Sequence, residues 1–266
     1  MTTIAARLQA VRNRIDAAAA AAGRLPSDIR LIAVSKTFPP AAIAEAYAAG
    51  QAAFGENYLQ EAVGKIAALS DLRLEWHVAN GQRNGEQREG DVRPSAGVAS
   101  PHAGPLLRPL EWHFIGPIQS NKTRQIAELF HWVHAVDRLK IAERLSSSRP
   151  AILPPLQVCI QVNVSGEQSK SGVRPDEVLC LAKAVSALAG IRLRGLMAIP
   201  EPTPDIGLQR SRFRLLAQLR DELVSRGLAM DTLSMGMSDD LEAAIAEGAT
   251  LVRVGRAIFG ERLARS

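Results

Sequence analysis

Lys36 ends an apolar run, Leu31-Ile32-Ala33-Val34-Ser35, that reads as a buried strand. A lysine held against an apolar wall has its pKa lowered, and the freed amine can attack an aldehyde to form a Schiff base. From this strand alone, a surface lysine with its stem laid along apolar neighbours is an equal reading. Two later turns bear on the choice. Ser234-Met235-Gly236-Met237-Ser238 leads into an acidic helix start at Asp239 and Asp240, and Arg253-Val254-Gly255-Arg256 makes a second glycine turn with cations beside it. Such turns present backbone N–H groups and a helix N-terminus to an anion, a common way of holding phosphate. Glycine there is also ordinary punctuation between a strand and a helix. Taken together, a Schiff-base lysine and a phosphate pocket point to pyridoxal 5′-phosphate (PLP).

Residue 36 and residues 234–256 must be brought together by the elements around them. Strand-prone runs fall at 30–35, 52–55, 112–115, 132–136, 156–162, 193–199, 232–235 and 251–254, each followed by a helical pattern. Gly50 closes the first helix, Asp137 stands where it can cap the fourth, and Asp239 or Asp240 where it can cap the seventh. Eight strand-helix units imply right-handed parallel crossovers, and in a chain of this length they predict an α/β fold, a closed (β/α)8 TIM barrel forming a single domain over 1–266. An open doubly wound sheet is the alternative. It lacks support because the first strand turns through Ser35-Lys36-Thr37-Phe38-Pro39, with no G-x-G-x-x-G. An extra N-terminal helix is predicted from Ile4, Leu8, Val11 and Ile15, with Thr2 or Thr3 as its cap. Active sites of such barrels lie at the C-terminal ends of the strands, where Lys36 and both glycine turns fall.

One segment breaks the rhythm. Leu-Glu-Trp-His occurs at 74–77 and again at 110–113, and only the second copy runs on into an apolar strand. Between them, positions 80–109 carry five glycines and four prolines, a composition typical of low-complexity chain. An insertion over 78–109 is therefore expected, entering the third strand from the rim opposite the site. It reads as a tolerated flexible loop or as a partner-binding one.

Composition removes other classes. No run approaches the length of a membrane helix, and the N-terminus lacks an apolar signal core, so a cytoplasmic protein without membrane partners is expected. Cys159 and Cys180 support neither a disulfide framework nor a zinc site, and no metal is expected. The charge of +5 comes from dispersed arginines and six lysines, with aromatics at 4%, too few for a base-stacking surface; no nucleic-acid partner is expected.

The sequence resembles the pyridoxal-phosphate homeostasis proteins, whose barrel is similar to that of alanine racemase. The matching stretches are Ala33-Val34-Ser35-Lys36, Phe54-Gly55-Glu56-Asn57-Tyr58, Glu111-Trp112-His113-Phe114-Ile115-Gly116, Gln119-Ser120-Asn121-Lys122, Ser165-Gly166-Glu167 with Lys170-Ser171-Gly172, Gly195-Leu196-Met197, Ser234 to Asp239, and Val252 to Gly255 with Ile258-Phe259-Gly260. The resemblance implies that Lys36 carries PLP as an internal aldimine. It also implies that Ser234, Gly236, Met237, Ser238, Gly255 and Arg256 surround the phosphate, that Asn57 and Met197 lie near the ring, and that Arg253 faces the pyridine nitrogen. An arginine there stays protonated and keeps that nitrogen neutral, a weaker electron sink.

Several of these residues keep a second reading. Position 256 is often threonine or serine in relatives, so Arg256 either adds a phosphate contact or points to solvent. Glu56-Asn57-Tyr58 also reads as a helix cap, Asn121 as an N-cap, and Trp112 and Trp132 as core.

Alanine racemase chemistry needs a lysine and an opposed tyrosine, the latter supplied by a partner's second domain. This sequence holds only Tyr47 and Tyr58 and stops after the eighth unit. The expectation is thus a non-enzymatic PLP carrier that releases cofactor from Lys36 by transimination, monomeric, with PLP-dependent apoenzymes as recipients. A racemase of low activity is the alternative. The five histidines lie at scattered spacings, and His113, near the third strand, is the one singled out.

Overall fold

The computed structural model describes residues 2–70, 109–167 and 171–261. In chain order the elements are α1 (Ile4–Ala21), β1 (Arg30–Val34), α2 (Pro40–Ala48), β2 (Ala53–Glu56), α3 (Leu59–Ala68), β3 (Glu111–Phe114), α4 (Thr123–Leu129), β4 (Trp132–Val136), α5 (Leu139–Ser148), β5 (Leu156–Gln161), α6 (Val178–Ser186), β6 (Ile191–Met197), α7 (Ile206–Ser225), β7 (Thr232–Ser234), α8 (Leu241–Ala246), β8 (Leu251–Val254) and α9 (Arg256–Phe259). All eight strands are parallel and pair in sequence order. The barrel closes where β1 meets β8, with Arg30 opposite Leu251 and Ala33 opposite Val254. Closure disposes of the open-sheet alternative. Strands enclosed by helices outside and side chains inside are buried on both faces, which is why they read as continuous apolar runs instead of alternating ones.

Strand positions follow the expectation to within a residue or two. β6 begins earlier, at Ile191, because Ile191 and Arg192 already pair with Leu156 and Gln157 of β5, while Gly195, where a Cβ would stand 1.8 Å from the Thr232 carbonyl, lets the later half of the strand lie against β7. Trp112 and Trp132 are core residues. The region expected to be inserted lies outside the described residues as far as 108, as does the first Leu-Glu-Trp-His copy; the second copy opens β3 as expected.

The caps differ more. Arg138, not Asp137, precedes α5, and Asp137 instead pairs with the Arg138 guanidinium at 2.7 Å. Asn121 lies within the short 3-10 turn Ser120–Lys122, so Lys122 stands at the start of α4. Glu56 caps nothing, because its carboxylate is drawn into a buried ion pair with Lys65.

Thr3 does cap α1, its hydroxyl accepting from the Ala6 N–H at 3.2 Å. The buried stripe Ile4, Leu8, Val11 and Ile15 contributes roughly 1.5–3 kcal/mol per side chain in area terms. α1 packs on the helices that follow β7 and β8. Arg7 Nε donates to the Ile258 carbonyl at 2.7 Å, and Arg14 Nη2 donates to the Ser238 carbonyl at 3.1 Å and to Glu242. Among the described residues no helix is long and apolar enough to cross a membrane.

Candidate functional site

β1 delivers Lys36 two residues past its last paired position, in the turn that leads to α2, with its side chain half-buried. The peptides on either side are tied to one group. Lys65 Nζ, on α3, donates to the Ser35 carbonyl at 2.7 Å, to Glu56 Oε1 at 2.8 Å and to Glu61 Oε1 at 2.5 Å. Glu61 in turn accepts from the Thr37 N–H, and Thr37 has a left-handed backbone, φ 70°, which costs a branched residue energy that these bonds offset. Ser35 Oγ donates to Glu56 Oε1 at 2.6 Å. Burial raises the Glu56 carboxyl above its ordinary range even though Lys65 and Ser35 pull the other way. Sequence reading missed this cluster; the signal available was Glu61 and Lys65 one helical turn apart behind the lysine strand.

The turn after β8 is built against the same strand. A Cβ on Gly255 would stand 3.2 Å from the Val34 carbonyl, so the second glycine turn packs on the end of β1 beside the Lys36 segment. The first glycine turn follows β7. Gly236 has φ 94°, and a Cβ there would meet Ala244 at 2.6 Å, so both backbone and space require glycine. Asp240 stands at the start of α8, but its Oδ1 accepts from the Met237 N–H at 2.5 Å, which occupies one donor expected to face an anion. Burial raises the Asp240 carboxyl. Met237, Asp239 and Asp240 wall a cavity of about 260 Å³ together with the 200–204 loop. Arg256 turns outward, its guanidinium 3.2 Å from Asp239 with both groups well exposed. A larger cavity, about 460 Å³, lies at the opposite rim among Arg12, Arg30 and Gln51, away from Lys36.

Inside the mouth, Arg253 is buried. Its Nη1 donates to Ser234 Oγ at 2.7 Å and its Nη2 to the Ala198 carbonyl at 2.8 Å. Burial lowers the guanidinium pKa to about 10, against the attraction of Asp240, so it remains a cation at neutral pH. Met197, at the end of β6, is fully buried and pairs in register with Ser234. The Ser234 hydroxyl is wholly buried and bonded to Arg253 and to His134 at 2.8 Å, which makes it a partner of the arginine. His134 is a second residue the sequence reading passed over. Asn57 follows β2, and its Oδ1 is buried without a partner among the described residues.

The alanine racemase N-terminal domain family matches residues 6–263. The pyridoxal phosphate homeostasis protein of Pseudomonas aeruginosa is 56% identical over 262 residues, covering 98% of this chain and 97% of that one. That of Escherichia coli is 49% identical, with 98% of each chain covered. Among solved structures, PipY of Synechococcus elongatus with PLP bound is 34% identical with a TM-score of 0.73, covering 97% of this chain and 100% of PipY. Alanine racemase of Corynebacterium glutamicum, at 18% identity and a TM-score of 0.59, shares the fold over 63% of its length. Identity of this level along nearly the whole length, on a closed barrel with its lysine at the end of β1, means that the chain belongs to the pyridoxal phosphate homeostasis protein family.

Proposed function

We infer that this protein binds PLP on Lys36 at the barrel mouth and serves in PLP homeostasis, holding and releasing the cofactor without net reaction. The observation that carries this reading is the seating of Lys36 and the Gly255 turn on the same end of β1. The residues present fit the group: a half-buried lysine, a buried Asn57 oxygen with no donor among the described residues, a buried guanidinium and two glycine turns. When bound, PLP supplies an aldehyde that condenses reversibly with an amine.

Each side chain then has a task. Lys36 holds the cofactor and yields its place to an incoming amine. Gly236, Met237, Ser238 and Gly255 surround the phosphate, with Arg256 able to swing in from Asp239. Asn57 and Met197 flank the ring. Arg253 faces the ring nitrogen and, having donors only, can bond it only while that nitrogen carries no proton. Ser234 orients Arg253. PLP-dependent apoenzymes are the recipients, the cytoplasm is the compartment, the protein acts as a monomer, and one domain carries the whole site.

Tyr58 sustains a second reading. It follows Asn57 on the mouth side of β2 with its ring exposed, the one described tyrosine so placed, and a low racemase activity would draw on it. Absorption spectra of purified protein titrated with PLP, then treated with borohydride, test the main reading. A visible band lost on reduction, a pyridoxyl mass on the peptide containing Lys36, and neither in Lys36→Ala are expected. Their absence at saturating PLP overturns it. Turnover of any amino acid that falls in Tyr58→Phe would favour the racemase.

A further inference from the structure

Five side chains form one polar line through the barrel interior. Glu111 opens β3, and its Oε1 lies 2.7 Å from His113 Nε2 and 2.9 Å from the Arg30 guanidinium. Residues i and i+2 of a strand share a face, so Glu111 and His113 project together. His113 Nδ1 is 3.0 Å from His134 Nε2, and His134 Nδ1 is 2.8 Å from Ser234 Oγ. Ser234 Oγ accepts from Arg253 Nη1 at 2.7 Å. β4 and β7 are not neighbours in the barrel, so the link from His134 to Ser234 crosses its interior. His113, His134 and Ser234 are wholly buried.

The two ends decide the direction of every bond between them. A guanidinium only donates, an ionised carboxylate only accepts, and a neutral imidazole does one of each. Burial holds both histidines below their ordinary pKa. Burial pushes Glu111 up, but His113 and Arg30 together outweigh it and keep the carboxylate ionised. His113 therefore keeps its proton on Nε2, the N–H facing the Glu111 carboxylate at 2.7 Å as a close charge–dipole contact outside hydrogen-bond geometry. Its Nδ1 then accepts from His134 Nε2, and His134 Nδ1 accepts the Ser234 hydroxyl proton, leaving the serine lone pairs to Arg253. The opposite order would set a bare His113 Nε2 against a carboxylate oxygen at 2.7 Å, two acceptors in contact.

We propose that Glu111 is a positioning residue for Arg253: it fixes His113 and His134 as Nε2–H tautomers and so turns the Ser234 oxygen, lone pair first, toward the guanidinium on the far side of the barrel. The relay stands on the protein alone. Only its consequence for the cofactor rests on the PLP reading.

The test starts from cofactor-free protein labelled with ¹⁵N-histidine, with long-range ¹H–¹⁵N spectra reporting the tautomer of each ring at neutral pH. Both rings are expected as Nε2–H. Either one found as Nδ1–H, or as the imidazolium, overturns the proposal without any variant having to fold. In Glu111→Gln, whose amide can donate as well as accept, Nδ1–H signals are expected on both rings; unchanged tautomers in the folded variant also overturn the proposal. PLP titration of the same variant adds a second readout, a Kd raised about fivefold. Reversed tautomers with an unchanged Kd would support the relay and overturn instead the placing of Arg253 against the cofactor.

Discussion

Lys65 donates to the Ser35 carbonyl at 2.7 Å, so the ammonium of one lysine fixes the peptide that precedes another. Glu61, bonded to Lys65, holds the peptide that follows Lys36, and Glu56 closes the group from β2. Lys36 is thereby set on a short, pinned stretch of backbone while its own side chain extends beyond it.

Removing Lys65 leaves Glu56 buried without its counter-charge. Lys65→Met is expected to lower unfolding free energy by about 3–5 kcal/mol, and Glu56→Gln added to it to recover a large part of that loss. Urea titrations of the two variants beside the parent protein check this; equal stability of the single and double variants would refute it.

The two buried histidines set an acid limit. Their folded-state pKa lies below the unfolded value of about 6.5, so below that pH the unfolded chain binds protons that the folded one does not. Stability is expected to be full above about pH 6.5 and to fall as pH drops below it, by roughly 1.4 kcal/mol per pH unit for each histidine still neutral in the fold. Denaturation midpoints between pH 7.5 and 5, above the range where most carboxylates titrate, measure the slope.

Asp240 competes with any anion for the Met237 N–H. Asp240→Asn keeps an acceptor for that N–H while removing the charge, and is expected to tighten PLP binding by about tenfold, equal to roughly 1.4 kcal/mol. Fluorescence or absorption titration gives the ratio. A weaker affinity would show that Asp240 organises the turn more than it repels the ligand.

Gly116 approaches the Asn57 backbone so closely that a Cβ would stand 2.2 Å from its carbonyl oxygen. Gly116→Ala must move the β2 to α3 connection, at a cost of about 1–3 kcal/mol or more, and is expected to weaken PLP binding because Asn57 moves with it. Gly64→Ala, where nothing lies near, is the control and should leave both unchanged or slightly improve stability.

The barrel was legible because parallel strands covered on both sides are uninterrupted apolar runs, and eight of them alternate with helices along the chain. Lys36 and the glycine turns were legible because a charge at the end of such a run and a glycine before a helix are local events. What escaped was lateral. The pairing of Lys65 with Ser35, and of His134 with Ser234 a hundred residues away, exists only once the sheet has closed. Capping was misread at Glu56 for a related reason, because a buried lysine claims its carboxylate; Asp240 does stand at the start of α8, but its side chain bonds the Met237 N–H instead of a helix N–H.

The bonds from Arg7 to Ile258 and from Arg14 to Ser238 join the first helix to turns more than two hundred residues later. During synthesis α1 is made long before α8 and α9, and its apolar stripe has to wait for them to leave the ribosome before they can cover it. The mouth is complete only with α1 docked on α8 and α9, so a nascent chain interrupted shortly before β7 carries Lys36 and the residues that anchor it but not the glycine turns that stand with them.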